Sequence, residues 1–427
     1  MTDFRKAVSR RDALRTLSAG AVLPLLPTAL FGQKQAPSQP LELKRVAGIA
    51  SVYHHNSHAD VILGKIFDGW EQDGGPGPAL KLVSLYVDQF PERDLARGLA
   101  EKHGIPICSS IREALTLGGD KLAVDGVISV GEHGDYPYNE KQQHLYPRRR
   151  FFAEIAETME DCGQVVPVFN DKSLSTVWKD AKWVYDRAKE LNIPLMAGSS
   201  LPTTFRKPDA TLPLGAPIEE VVSIGYGQLC SYGFHAMEML QTFAERRLDA
   251  ETGVAWVQSL TGDAMWAAVD SGEVSSELLD AALAHVPTVK RRKLRELDPE
   301  KSALFRFQYR DGTKGAVFML QGYAVGVAVA CRVKGRQEPF ALQIEERYEP
   351  RFPHFAYLLK GVERMIHTGK PAWPVERTLL TGGILDRAMT SRFENGQRIA
   401  TPELAVSYQP ANVSYAPHVS LAADPRM

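Results

Sequence analysis

The chain has 427 residues, 44% hydrophobic, 24% charged and 9% aromatic. That composition excludes a disordered, collagen-like or disulfide-stapled chain, and at roughly 150 residues per domain it predicts two domains with separate cores. Lys and Arg (50) balance Asp and Glu (51), a formal charge of -1. No nucleic-acid partner is expected from that balance, and a small, near-neutral substrate fits it better than a strongly charged one.

In chain order, the first segment reads as a signal. Arg10-Arg11 precedes a mostly apolar stretch from Thr16 to Phe31, broken by Pro24 and Pro27 and followed by Gly32. Residues 1–32 therefore resemble a Tat signal peptide, which implies a periplasmic or otherwise exported protein. The apolar core falls short of the ~20 residues a membrane span needs, so no membrane partner is expected once the signal is removed. Residues 33–43 form a Pro/Gln-rich linker. Cys108, Cys162, Cys230 and Cys331 stand apart, with no spacing suited to zinc, and read as buried free thiols.

From residue 44 strands and helices alternate. Lys44–Tyr53 is an apolar run ending in a polar loop, and Ala59–Trp70 has helical spacing through Val61, Ile62 and Ile66. A Gly/Pro-rich loop over Asp73–Pro78 leads to a strand at Lys81–Val87 and a helix through Leu95 and Leu99 to His103. Strands follow at Ile105–Cys108, Asp125–Val130, Val165–Phe169 and Pro194–Ala197. Helices are expected at Ile111–Leu115, from Phe151 to Cys162 and at Trp178–Leu191. This alternation predicts an α/β domain over 44–200, a Rossmann-like doubly wound parallel sheet.

Residues 201–408 read as an α+β domain with a large, mainly antiparallel sheet. Its strands are expected at Ile218–Ser223, Leu304–Tyr309, Ala316–Leu320 and Val325–Val333, with a hairpin turn at Asp311-Gly312. Helices at about 233–247, 276–285 and 354–367 are expected to flank them, and 409–427 is a tail. The basic run Lys290-Arg291-Arg292-Lys293 reads as an exposed loop or helix end.

Several segments then match a known pattern in order. They are Val83–Asp88 with Leu99–Pro106, Asn170-Asp171-Lys172-Ser173 where the pattern has Glu-Lys-Pro, and Gly233-Phe234-His235-Ala236-Met237-Glu238 for Gly-x-His-x-x-Asp. With Thr381–Asp386 and Ser391–Gly396, the chain resembles the Gfo/Idh/MocA oxidoreductases over most of 44–408. The resemblance implies NAD or NADP in the first domain, a sugar or polyol as substrate, and a homo-oligomer built through the second domain's sheet. It places Lys172 and His235 at the substrate hydroxyl, with Asp171 beside them. It implies a dinucleotide site lined by Gly48, Ser51, Asp88, Glu132 and His133.

The chain departs from that family at its fingerprint. G-x-G-x-x-G lets a backbone approach a diphosphate, and here the loop reads Ile49-Ala50-Ser51-Val52-Tyr53-His54-His55-Asn56-Ser57-His58 after the lone Gly48. The family's Asp before the histidine is Ser231. In an open parallel sheet, ligands bind beyond the carboxyl ends of the strands. His54, His55 and His58, then Glu132, His133 and Asp135, then Asn170, Asp171 and Lys172 should therefore converge there. With Tyr136 and Ser231, these residues read as a substrate cleft; imidazoles with carboxylates also suit a divalent metal. Three readings stay open. The first is an exported NAD(P)-dependent sugar oxidoreductase. The second is a carbohydrate lyase, hydrolase or epimerase with a remodelled cleft and no NAD, and the third a non-catalytic carbohydrate-binding protein.

Overall fold

The computed structural model describes residues 42–289 and 293–421. The expected signal over 1–32, most of the linker, the basic residues 290–292 and the end of the tail lie outside the described residues. Among the described residues no helix is long and apolar enough to cross a membrane.

The first half builds β1 (Lys44–Ala50), α1 (His58–Asp68), β2 (Leu80–Val87), α2 (Ala96–His103), α3 (Ile111–Thr116) and β3 (Gly126–Val130). It continues with α4 (Arg148–Asp161), β4 (Val168–Asp171), α5 (Trp178–Glu190) and β5 (Leu195–Gly198). The five strands are parallel, in the order β2-β1-β3-β4-β5. Successive side chains take opposite faces. Ala47, Ile49, Val127 and Val168 pack with α3, α4 and α5, whereas Val46, Ala50, Ile128 and Phe169 face α1.

Two strand boundaries move because of proline. The strand expected over 105–108 reduces to one parallel bridge, Leu85 to Ile107, because Pro106 has no N–H to extend a ladder. Pro167 likewise delays β4 to Val168, which carries the strand on to Asn170 and Asp171.

The second half adds β6 (Phe205–Lys207), β7 (Ile218–Gly225), α6 (Ser231–Ala244), β8 (Val254–Leu260), α7 (Gly262–Asp270) and α8 (Ser276–Leu283). Then come β9 (Ser302–Tyr309), β10 (Lys314–Leu320), β11 (Val327–Val333), β12 (Phe340–Glu345), α9 (Pro353–Thr368), α10 (Val375–Phe393) and β13 (Ile399–Ala400). The strands form one eight-stranded sheet, antiparallel except where β7 meets β10. The β9–β10 hairpin turns at Asp311-Gly312 as expected: Gly312 sits at φ +96°, and the Asp311 carboxylate accepts from Thr313 N at 2.9 Å. β6, β8, β12, β13, α7 and α10 were not legible in the sequence. The four cysteines are free thiols, as expected, but only Cys108 and Cys331 are buried; Cys162 and Cys230 are half-buried.

One helix is displaced from its expected partner. The helix expected over 354–367 was to flank the second sheet. As α9 it instead lays Leu358, Leu359, Val362, Met365 and Ile366 on the first sheet beside α1. Its apolar stripe closes the part of that face α1 does not reach, and the described residues form one compact unit. In the second sheet Phe305, Val317 and Val329 pack with α6 and α10, whereas Leu304, Phe318 and Ala328 pack with α7 and α8. Neither face of that sheet is bare.

Candidate functional site

Segments from the carboxyl ends of β1, β3 and β4 meet beside the start of α6. Ser57 caps α1, its hydroxyl accepting from Asp60 N at 3.3 Å and from His54 N at 3.1 Å, a cap worth ~1 kcal/mol. This fixes the first helical residue, His58, whose Nδ1 lies 2.6 Å from Asp171 Oδ2. A carboxylate only accepts, so Nδ1 is the donor in this contact, which makes Nε2 the lone-pair nitrogen of the neutral ring. After β4, Asn170 braces a tight turn by donating to Ser173 O at 2.9 Å. That turn holds Lys172 at φ +63°, a left-handed conformation uncommon for a residue with a side chain.

Lys172 donates from Nζ to Glu132 Oε1 at 2.8 Å and to the Ser231 carbonyl at 3.3 Å. Arg148, the first residue of α4, holds the other oxygen of Glu132. Asp171 is 1% exposed, Arg148 2%, Glu132 and Lys172 4%, so the ion pairs lie out of bulk solvent. Burial pushes the Glu132 carboxyl up, but Lys172 and Arg148 outweigh it and hold the group well below the usual carboxylate range.

The imidazoles respond in the opposite sense. Burial, then Lys172 and His58, hold His235 well below its ordinary value, so it stays neutral; its Nδ1 is 2.6 Å from Ser199 Oγ. Burial and the neighbouring His58 push His133 down to about 3. Ring centroids place His133 5.4 Å and His235 6.4 Å from His58.

Two clefts open on this cluster. An inner one of about 260 Å³ is lined by His58, His133, Lys172 and His235, together with Tyr226, Tyr232 and Glu346. An outer one of about 750 Å³ shares Glu132, Lys172, Tyr146 and Ser231 with it. The outer wall includes a column of rings, Tyr138–His144–Tyr146, with centroids 4.2 and 4.1 Å apart.

The expected site residues divide accordingly. Lys172, Asp171, Glu132, His133, His235 and Ser231 come together. Of the others, His54 and Ser51 touch the edge of the cluster, the His54 ring lying 5.6 Å from that of His133, while Gly48, Asp88 and His55 are engaged elsewhere. Gly48 lies inside β1, where an added Cβ would meet Leu85 Cδ2 at 2.8 Å, so its close approach is to the core. Ser51 donates to Glu132 O at 2.7 Å. Asp88 accepts from Tyr86, Tyr136 and Arg150 at 2.7, 2.7 and 2.6 Å, a knot that occupies both of its oxygens and the Tyr136 hydroxyl. Burial and then Arg150 and the tyrosines act on Asp88, and the donors hold it below its ordinary range. His55 is exposed beside Asp60, His54 accepts from Arg93 at 3.3 Å, and Asp135 is paired through its backbone to Gln89. Among the described residues no group of His, Cys, Asp and Glu could hold a metal ion, so the metal suggested by their proximity finds no support.

Sequence reasoning placed His58 in the converging polar cleft without assigning it a catalytic role, and missed Ser199, Tyr226 and Glu346 altogether. His58 had a usable signal, as the residue following an N-cap serine at a strand end. Glu346 had none, because only the tertiary fold carries the end of β12 to this cleft.

The N-terminus of α1, where the resemblance puts a diphosphate, is closed by the chain itself. The Asp60 carboxylate accepts from Asn56 N at 2.8 Å, and Arg351 closes on the same oxygen. Val52 and Tyr53 are buried with bulky side chains where glycines would be needed.

No protein-family model and no curated protein sequence matches this chain. Solved structures do. GenD2 from gentamicin A biosynthesis, determined in complex with NAD, is 13% identical with a TM-score of 0.54, covering 84% of this chain and 96% of its own. A probable dehydrogenase from Thermotoga maritima is 12% identical (TM-score 0.53; 84% and 99% covered). A myo-inositol dehydrogenase from Corynebacterium glutamicum is 12% identical (TM-score 0.50; 84% and 98%). At such identities the likeness is one of fold: this chain has the two-sheet α/β architecture of these dehydrogenases.

Proposed function

We propose that this chain is an exported acid–base enzyme of carbohydrate-like polyols, working in the inner cleft without a dinucleotide on α1. One observation carries the reading: His58 and Lys172 converge on that cleft, each held by its own buried carboxylate, Asp171 and Glu132. The His58 Nε2 lone pair takes a proton from the substrate, and Asp171 stabilises the imidazolium that forms. The Lys172 ammonium, fixed by Glu132, faces the oxygen on which negative charge develops. His235, neutral, exchanges a hydrogen bond with a substrate hydroxyl. The charges of Glu132, Asp171, Lys172 and Arg148 cancel, which suits an uncharged substrate.

The residues at α1 do not fit a dinucleotide in the usual pose. A diphosphate on that helix end would meet the Asp60 carboxylate and the buried side chains of Val52 and Tyr53. No step is therefore routed through NAD(P). The second reading, an NAD(P)-dependent sugar or polyol oxidoreductase with Lys172 and His235 at the hydroxyl proton, is favoured by the fold. It also has an open cleft of about 580 Å³ lined by Val52, His54, Gln89, Phe90 and Arg93, which leaves room for a nucleotide displaced from α1.

The deciding experiment incubates the protein in D2O with aldoses, inositols and their ring ketones, with and without NAD(P). Loss of a C–H proton signal without added nucleotide is expected. Turnover that appears only with NAD(P), accompanied by NAD(P)H absorbance, would replace this proposal by the second reading.

A further inference from the structure

The inner cleft holds a second carboxyl. Glu346, directly after β12, lines it together with Tyr226, Tyr232 and Tyr348, in the same cleft as His58, Lys172 and His235. The Tyr226 hydroxyl donates to Glu346 Oε2 at 2.7 Å, and no hydrogen bond to Oε1 is seen among the described residues. No Lys, Arg or His among the described residues forms an ion pair with this carboxyl; its exposed neighbour Arg347 pairs with Glu345 instead. His354, on the same cleft, is turned to the Arg347 carbonyl through Nδ1 at 3.1 Å. Burial raises Glu346, and Tyr226 only partly offsets it. Glu132, which lines the same cleft with its two cations, is held low. The two carboxyls are thus pushed apart, and the raised one, Glu346, is the one suited to donate a proton.

We propose that Glu346 is the general acid of this cleft, and that with His58 as base it makes the reaction a β-elimination on a neutral ring keto-polyol. The proposal rests on the acid–base reading given above and assigns its reaction class. His58 Nε2 removes the proton on the carbon next to the ketone. The C–H electron pair becomes a C=C bond, and the C–O bond one carbon further breaks with its pair on oxygen. That oxygen takes the Glu346 proton and leaves as water or an alcohol. Glu346 ends as carboxylate and His58 as imidazolium, reset by proton exchange with solvent. Lys172 faces the ketone oxygen while it carries enolate charge. The atoms balance with no oxidant, reductant or metal. The size of the inner cleft, about 260 Å³, suits one ring, and the adjoining outer cleft has room for a leaving alcohol.

The test uses the full chain with keto-inositols and methyl keto-hexopyranosides in D2O. Wild type is expected to show both C–H exchange and an unsaturated product. Glu346→Gln should keep the exchange and lose product formation about 10²–10⁴-fold, along with the alkaline limb of the pH profile. Tyr226→Phe should move that limb to higher pH, because the donor that lowers Glu346 is gone. Loss of exchange and product in equal measure in a folded Glu346→Gln protein, or no loss of either, overturns the role of Glu346. Absence of exchange in wild type on every probe overturns the underlying acid–base reading instead.

Discussion

Glu132→Gln tests the electrostatic centre of the site. The substitution keeps the shape and removes the charge that neutralises Arg148 and Lys172, whose side chains are 2% and 6% exposed. Removing one partner of a buried ion pair typically costs about 3–5 kcal/mol, because the remaining charge is left uncompensated. The variant should lose that much stability at neutral pH, read by urea unfolding followed by tryptophan fluorescence and circular dichroism. The pH dependence has a definite sign. Burial raises the carboxyl, Lys172 and Arg148 lower it further, and the folded group ends below its unfolded value of about 4.3. Its contribution is therefore complete above about pH 4.3 and fades as the pH falls below it. The gap between wild type and variant should be constant from about pH 7 to 5 and should shrink toward pH 3. A gap under about 1 kcal/mol, the scale of an exposed pair, would refute the claim that this cluster is buried and mutually dependent.

Other consequences can be checked separately. Asp171→Asn removes the carboxylate that orients His58 at 2.6 Å, and should slow C–H exchange by about 10²–10⁴-fold while leaving the fold intact by circular dichroism. His354 is 5% exposed and pushed down to about 3 by burial. Its folded value lies below the unfolded ~6.5, so the stability it contributes is present above ~6.5 and is lost on acidification, by up to about 1.4 kcal/mol per pH unit. His354→Phe should flatten that decline in urea midpoints measured between those limits, and an unchanged slope would contradict it. Gly48→Ala would bring a methyl within 2.8 Å of Leu85 and 3.0 Å of Leu63, and should destabilise by about 1–3 kcal/mol in thermal unfolding.

The division between what was legible and what was not follows the range of the forces. Short continuous apolar runs such as Gly126–Val130 and helical spacing such as Phe151 to Met159 are local. They announced the parallel sheet of the first half, and Asp311-Gly312 announced the β9–β10 hairpin of the second. Placing Asp171, Lys172 and Glu132 together also needed only the rule that strand ends share one edge.

Beyond that edge the sequence was silent, because burial and long-range pairing have no local signature. Val375–Phe393 and Phe340–Glu345 read weakly alone and form only because sheet and helix cover one another. The apolar stripe of α9 says that a face is buried, but not against which sheet. The sequence showed that the glycine fingerprint was missing, and only the folded chain showed Asp60 and Arg351 taking its place. In the same way, residue type alone cannot separate Glu132 from Glu346. One is ionised by two buried cations and the other is raised by burial beside a tyrosine, a difference created entirely by the tertiary environment.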